Sequence, residues 1–117
     1  MADKRSILGL KRQGDVIIVK VDPKQVNLGK EIVRDNGRVI LAYGEVTGHS
    51  HAIADDGVVF FESIDPKDAV LGTRFLQIAN AAILKHNEHD PIELDAGTYE
   101  IRIQREYIPG GIRNVAD

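Results

Sequence analysis

The chain has 117 residues, enough for one domain and too few for two of ordinary size. Hydrophobic residues make up 43% of it and charged residues 28%, which is the balance of a folded protein and excludes a disordered tail. The net charge of −3 gives no basic surface for nucleic acid, and the absence of cysteine excludes disulfides and thiolate metal sites.

Apolar runs in the chain are short. The first residues contain none that would serve as a signal peptide, and no later run reaches the roughly 20 residues of a membrane-spanning helix. We therefore expect a soluble, cytoplasmic protein that binds neither nucleic acid nor membrane.

Turn signals and β-branched runs favour strands in the first half of the chain. The run VIIVKV, residues 16–21, predicts a strand. Residues 31–46 predict a hairpin around the Asp-Asn-Gly turn at residues 35–37, since Asn and Gly accept the positive φ of a tight turn. Another turn at residues 55–57 precedes a strand over residues 58–64.

The middle of the chain is less clear-cut. Residues 66–69 predict a short helical turn, because Pro66 suits the first helical position and Asp65 can cap it. A helix over roughly residues 69–85 and two short strands within residues 74–86 both fit the sequence, and we favour the strands because Phe, Ile and the lack of caps count against a helix.

The last clear strand begins at Tyr99. Odd-numbered residues from there to Ile103 are apolar and even-numbered ones polar, so one face is expected in the core and the other, with Glu100 and Arg102, in solvent. Residues 95–97 predict the turn that leads into this strand.

Seven or eight short strands predict an all-β fold, a small β-sandwich or barrel with little helix. We assign residues 1–117 to a single β domain. Residues 1–14 are expected to form a flexible arm, and residues 109–117 a C-terminal tail.

All four histidines occur in two short-range pairs. His49 and His51 are two residues apart, so on a strand their rings project from the same face and can converge on one metal ion. Glu45 shares their parity and would add a carboxylate to that face.

The second pair, His86 and His89, has a different spacing. Residues three apart face opposite sides of a regular strand, so both can join one site only if the chain bends between them, whereas on a helix they would share a face. Glu88 has the parity of His86 and is a rival ligand.

A lone histidine is usually a surface or hydrogen-bonded core residue, but four of four in two pairs favours a metal site. With no sulfur ligands, the chemistry suits a divalent transition metal, Zn, Fe, Ni or Mn, and the sequence does not choose among them.

The HxH pair followed by a later histidine resembles the cupin superfamily, and the phrase IELDAGTYEI is similar to strand-turn-strand wording of cupin domains. The resemblance implies a jelly-roll-like barrel with a metal held by histidines and a carboxylate. Cupins carry a glutamate three or four residues after the HxH, where this chain has Asp55 or Asp56, and their second motif, with glycine and proline before its histidine, is absent here.

The chain is also similar to short, mostly bacterial and phage proteins of unassigned function. The shared wording is GEVTGHSH, HNEHDPIEL, GTYEIRIQREY and the end IRNVAD. This resemblance implies that the two histidine pairs and the last strand belong together, and it carries no activity.

Two functions from different classes remain open. The first is a metal-dependent hydrolase or oxygenase of cupin type, in which the ion activates water or dioxygen for a small-molecule substrate and Glu45 or Glu88 serves as ligand or general base. The second is a non-catalytic structural or interaction module with a structural metal or with histidines at an interface. Small all-β chains often associate, so we also expect a homo-oligomer.

Overall fold

Nearly all of the described chain is β-structure. The computed structural model describes residues 5–44, 48–108 and 111–114. Its strands are β1 Ile7–Gln13, β2 Val16–Val21, β3 Leu28–Ile32, β4 Val39–Tyr43, β5 Ser50–Ile53, β6 Val58–Ser63, β7 Arg74–Lys85, β8 Ile92–Ile103, β9 Arg105–Ile108 and β10 Gly111–Asn114. A 3-10 turn, Pro23–Gln25, and one short helix, α1 Pro66–Leu71, complete it. The prediction of a small all-β domain with little helix is confirmed.

The sheet is antiparallel and curls into a half-barrel. Its main path runs β1-β2-β8-β7-β5-β4. One edge of the long strand β7 is shared, because β6 pairs with residues 74–78 and β5 with residues 84–85, and β3 continues outward from β6. Because β5 and β6 pair with different parts of the same edge of β7, they diverge from each other, and the sheet curves around its inner face.

The inner face holds the hydrophobic core. Side chains from β2, β4, β5, β6, β7 and β8 meet there with almost no exposed surface, among them Ile18, Leu41, Ile53, Phe60 and Leu84. Each such side chain, fully buried, contributes roughly 1.5–3 kcal/mol. The curvature of the sheet is therefore stabilised by one hydrophobic core that these six strands share.

The predictions for the middle of the chain, a short helical turn followed by strand, agree with the structure. Asp65 caps α1 by accepting a hydrogen bond from the Lys67 N–H, and Pro66 is its first residue. Residues 74–85 form strand rather than helix, as favoured, but as one continuous strand instead of two.

The hairpin expected over residues 31–46 is wrong, although its turn is present. Asn36 and Gly37 have φ of +53° and +79°, yet only an isolated bridge joins Asp35 to Arg38. The flanking strands pair elsewhere, β3 with β6 and β4 with β5. Arg34 explains the divergence, because its guanidinium donates to the carbonyls of residues 37, 55 and 58 and so ties this turn to the next one.

The turn expected at residues 95–97 is also wrong, since β8 runs through it without interruption. Gly97 has φ of +152°, and the β7–β8 register shifts between Ile78 and Ala81, so the pair bends here without reversing. Lys20 lies against the bend. Its ammonium forms an ion pair of 2.9 Å with Asp95.

Parts of the expected arm and tail form strands. Residues 7–13 form β1, paired with β2, where an arm over residues 1–14 was expected. Within the expected tail, β10 pairs with β9. Residues 1–4, 109–110 and 115–117 lie outside the described part. No helix among the described residues is long and apolar enough to cross a membrane.

Glu100, expected in solvent, is only 2% exposed. Arg5 covers it: the guanidinium donates to Glu100 at 2.6 Å and to Asp68 at 3.0 Å, and lies 5.0 Å from the centre of the Phe75 ring. Arg102 also bonds to Glu100. Glu100 is thus buried under the N-terminal segment, which strand alternation alone does not reveal, whereas the Arg102 side chain is 48% exposed, as expected.

Replacing Arg5 with methionine is expected to lower the free energy of unfolding by about 3 kcal/mol, because the buried carboxylates of Glu100 and Asp68 each lose a charged hydrogen-bond donor. Urea unfolding followed by circular dichroism measures this loss. The variant Lys30→Met, at an exposed lysine of β3, is the control and should change stability little. A loss for Arg5→Met no larger than that of the control would contradict a stabilising role for the Arg5 network.

Asp95 makes the stability of the fold depend on pH in the acid range. Its hydrogen bond from Tyr99, and then the bond from Lys20, lower its pKa from 3.8 to about 2. A lowered folded-state pKa stabilises the fold above the unfolded value and loses that contribution as the pH falls from about 4 towards 2. Asp95→Asn should therefore lose less stability than the natural chain across this interval in thermal melts, whereas Asp56→Asn, at an exposed turn, should follow the natural chain.

Candidate metal centre

The structure brings all four histidine rings together at one end of the half-barrel. His49 and His51 come from the start of β5, and His86 and His89 from the segment after β7. The ring centres of His51 and His86 are 4.2 Å apart, those of His86 and His89 4.6 Å, those of His51 and His89 6.1 Å, and those of His49 and His86 5.9 Å. We call these four residues the histidine group.

A bend after β7 removes the difficulty of the three-residue spacing. The backbone N–H groups of Glu88 and His89 both donate to Nδ1 of His86, at 3.0 and 3.3 Å. The side chain of His86 thereby caps the bend that returns His89 to its own side. The rings of His86 and His89 face the same site because the His86 ring is hydrogen-bonded to the backbone of His89.

The β1–β2 turn forms the other wall of the site. Gly14 has φ of +57°, and a Cβ placed on it would lie 2.8 Å from Nε2 of His89 and 3.2 Å from Cε1 of His51. Both the backbone conformation and the close approach of the rings therefore require glycine here.

Gln13 fixes the tautomer of His51. The Gln13 amide nitrogen donates to the carbonyls of Leu84 at 3.0 Å and of Asp90 at 2.9 Å, so its other atom must be the oxygen. That oxygen lies 2.9 Å from Nδ1 of His51, which must then donate a hydrogen to it. In the neutral ring the lone pair is left on Nε2.

Asp15 lies on the far side of the same ring. Its Oδ1 is 3.5 Å from Nε2 of His51, and Asp15 is 7% exposed while His51 is fully buried. A lone pair and a carboxylate oxygen that face each other in a buried place can share a proton, carried by Nε2 or by the carboxyl group, or can both bind a metal ion.

The remaining predicted site residues lie further out. Nδ1 of His49 is 3.9 Å from Oε1 of Glu88, whose side chain is 64% exposed. Glu88 is therefore at the rim and not against His51. Glu45 lies outside the described residues.

Among the described residues, no three or more His, Asp or Glu side chains are already arranged around a single point as metal ligands. The hydrogen bonds explain part of this. Because Nδ1 of His86 accepts from two backbone N–H groups, its Nε2 carries the hydrogen and is not a ligand in this arrangement. The Nε2 atoms of His51, His86 and His89 are all buried, and that of His89 has no hydrogen-bond partner among the described residues.

Sequence reasoning missed the Gln13-Gly14-Asp15 turn. Its signal was a polar Gln-Gly-Asp run ahead of an apolar strand, which reads as an ordinary exposed hairpin turn. Nothing local indicates that Gln13 and Asp15 are buried, since their partners at the site lie 36 or more residues away in the chain.

A larger cavity, of about 740 Å³, lies apart from the histidine group. It is a groove beside β1, lined largely by aliphatic side chains such as Leu8, Leu10 and Leu94, with Lys20 and Tyr99 at its edge. None of the four histidines lines it, so this larger cavity is not the candidate metal centre.

The fold and the site define a class of protein, a small curled β-sheet with a partly buried group of histidines at one end. The chain belongs to the DUF8820 family, a domain of unknown function, whose model matches residues 12–104. The match includes the β1–β2 turn and all four histidines. No curated protein and no solved structure matches the chain. The resemblance to uncharacterised proteins fits this family, and cupin membership stays a prediction.

Gly14→Ala and Gly37→Ala form a matched pair that tests the close approach at the turn. Both glycines have a left-handed φ, so each substitution should cost about 1–2 kcal/mol of backbone strain. Only at Gly14 does the new methyl group also meet a histidine, since nothing lies within 4 Å of the corresponding position at Gly37.

The expected result is a larger loss of stability in urea for Gly14→Ala, with shifted imidazole NMR signals of His51 and His89. Equal losses and unshifted imidazole signals in both variants would show that the rings do not pack on Gly14.

Proposed function

We propose that this protein binds one divalent transition metal ion through the buried Nε2 atoms of His51 and His89, with the carboxylate of Asp15 as the oxygen ligand. The observation that carries the proposal is the fixed tautomer of His51. Gln13 turns the lone pair of that ring towards Asp15, inside the fold, so that an imidazole nitrogen and a carboxylate oxygen lie 3.5 Å apart.

A proton on His51 is the alternative cation, and the surroundings favour a metal over it. A proton would satisfy only His51 and Asp15. A metal ion would also use the third buried group, Nε2 of His89, which has no hydrogen-bond partner among the described residues. Burying an imidazole nitrogen without such a partner is costly, so a ligand for it gives its position a physical reason.

The distances are compatible with a shared ion after a small movement. Two imidazoles bound to one metal by bonds of about 2 Å have ring centres roughly 5 Å apart in tetrahedral geometry. The centres of His51 and His89 are 6.1 Å apart, within the range that a side-chain rotation covers. Two nitrogens and one carboxylate suit Zn, Fe, Ni or Mn.

His86 and His49 have supporting roles in this proposal. His86 caps the bend that positions His89 and keeps its own Nε2–H as a hydrogen-bond donor. His49 lies at the rim beside Glu88, where it can act as an additional ligand or face solvent. The ranking of the ligands thus differs from the HxH pair that the sequence emphasises.

Elemental analysis and calorimetric titration of Zn, Fe, Ni and Mn into chelator-treated protein test the proposal. The expected result is about one ion per chain. His51→Ala and His89→Ala should each abolish stoichiometric binding, while His49→Ala should weaken it by tenfold or less. If His51→Ala and His89→Ala both folded and retained one ion per chain, the ligand assignment would be wrong.

Gln13→Leu gives a more specific readout, because it touches no metal. Loss of the hydrogen bond to Nδ1 frees the His51 ring to take the other tautomer, and loss of such a supporting partner typically costs 10–100-fold in metal affinity. Circular dichroism checks that the variant folds. Unchanged affinity in a folded Gln13→Leu variant would show that the tautomer does not govern binding.

The same titrations separate an enzymatic centre from a structural one. An ion held by three protein ligands keeps an open position, at which water could be activated, whereas four closed ligands serve structure alone. With cobalt as the probe ion, a visible spectrum that changes on adding azide indicates an open position and favours the hydrolase or oxygenase. An unresponsive spectrum favours the structural or interaction module.

A further inference from the structure

A second, smaller cavity of about 200 Å³ adjoins the histidine group on the opposite side of β5. Residues alternate between the faces of a strand, so Ser50, Ala52 and Ala54 project away from His51 and line this cavity. Two of the three are alanines, and their short side chains leave the space open. His86 is the one member of the histidine group that also lines the cavity.

The charged residues that line the cavity are Arg38 and Lys85, both cationic. Within the described part of the chain, no aspartate or glutamate lines it. Neither cation forms an ion pair with a carboxylate of the described residues, whereas Arg5 and Lys20 are both neutralised in that way. Two positive charges that no carboxylate of the described residues pairs with, placed beside one small cavity, attract an anion.

The polar groups nearby are also hydrogen-bond donors. The Asn87 side-chain oxygen accepts from the backbone N–H of Ser50 at 3.1 Å, which leaves the amide NH₂ of Asn87 as a donor. The hydroxyl of Ser50 adds another. A guanidinium, an ammonium, an amide and a hydroxyl together match a ligand made mainly of oxygen acceptors.

We propose that this cavity binds a small oxyanion that carries two negative charges, the chemistry shared by inorganic phosphate and short dicarboxylates. Its volume is below the roughly 300–1,000 Å³ of sites for drug-sized ligands, so the ligand has few atoms. The inference stands apart from the metal proposal, since none of the contacts that support it involves His51, His89 or Asp15.

The experiment uses the full chain, labelled with ¹⁵N and freed of metal by chelation. Phosphate, malonate and, as a control for ionic strength, sodium chloride are added in separate titrations followed by amide NMR shifts. Saturable shifts at residues 50–54 and 85–87 with phosphate or malonate, but not with chloride, are expected. Whichever of the two anions binds more tightly identifies the ligand class.

Variants then locate the charges responsible. Arg38→Gln and Lys85→Gln should each raise the dissociation constant about fivefold or more, since each removes a charge-assisted contact. Ala54→Glu, at an exposed position, should abolish binding by placing a carboxylate in the cavity. The matched control, Lys24→Gln, at an exposed lysine elsewhere, should leave binding unchanged.

Three results would overturn the proposal: no saturable shifts with either anion, the same shifts with chloride, or equal weakening in Lys24→Gln and Arg38→Gln. All titrations use metal-free protein, so this site and the metal centre succeed or fail separately.

Discussion

The hydrogen bonds of one buried side chain, Gln13, hold the candidate site together. Its amide group joins β1 to the end of β7, to the bend before β8 and to the ring of His51 on β5. Each of these hydrogen bonds is shielded from solvent. In such a place, leaving a donor or acceptor unpaired costs more free energy than a formed hydrogen bond contributes. The ring orientation, the position of the bend and the closure of the half-barrel are therefore one arrangement, not three.

The two faces of the sheet bury different kinds of side chain. The inner face is filled by aliphatic side chains and needs no polar partner until its end, where the histidine group begins. The outer face buries Glu100 and compensates it with Arg5 from the N-terminal segment. Charge is thus buried at two separate places, one closed by a salt bridge and the other by imidazoles. Only the second leaves nitrogen atoms that a ligand could use.

The fold class could be read from the sequence because alternation and turn residues are local signals, and the capped helix at Asp65 followed for the same reason. Strand partners could not. The hairpin at residues 35–37 failed because Arg34 binds carbonyls more than 20 residues away. The pairing of the histidines was visible as a pattern, but the roles of Gln13 and Asp15 were not. Their burial depends on β1, a strand that sequence reasoning took for an arm.

The distribution of the site along the chain has a consequence for how the protein folds. Its parts come from the first hairpin, from β5 and from the segment after β7, and the contacts that join them span 35 to 77 residues. Such contacts form late, because long loops must close before they are made. In the unfolded chain the ligands are therefore scattered, and an ion has little to hold. Binding would act on the finished fold and slow its opening, and it would leave the rate of folding nearly unchanged.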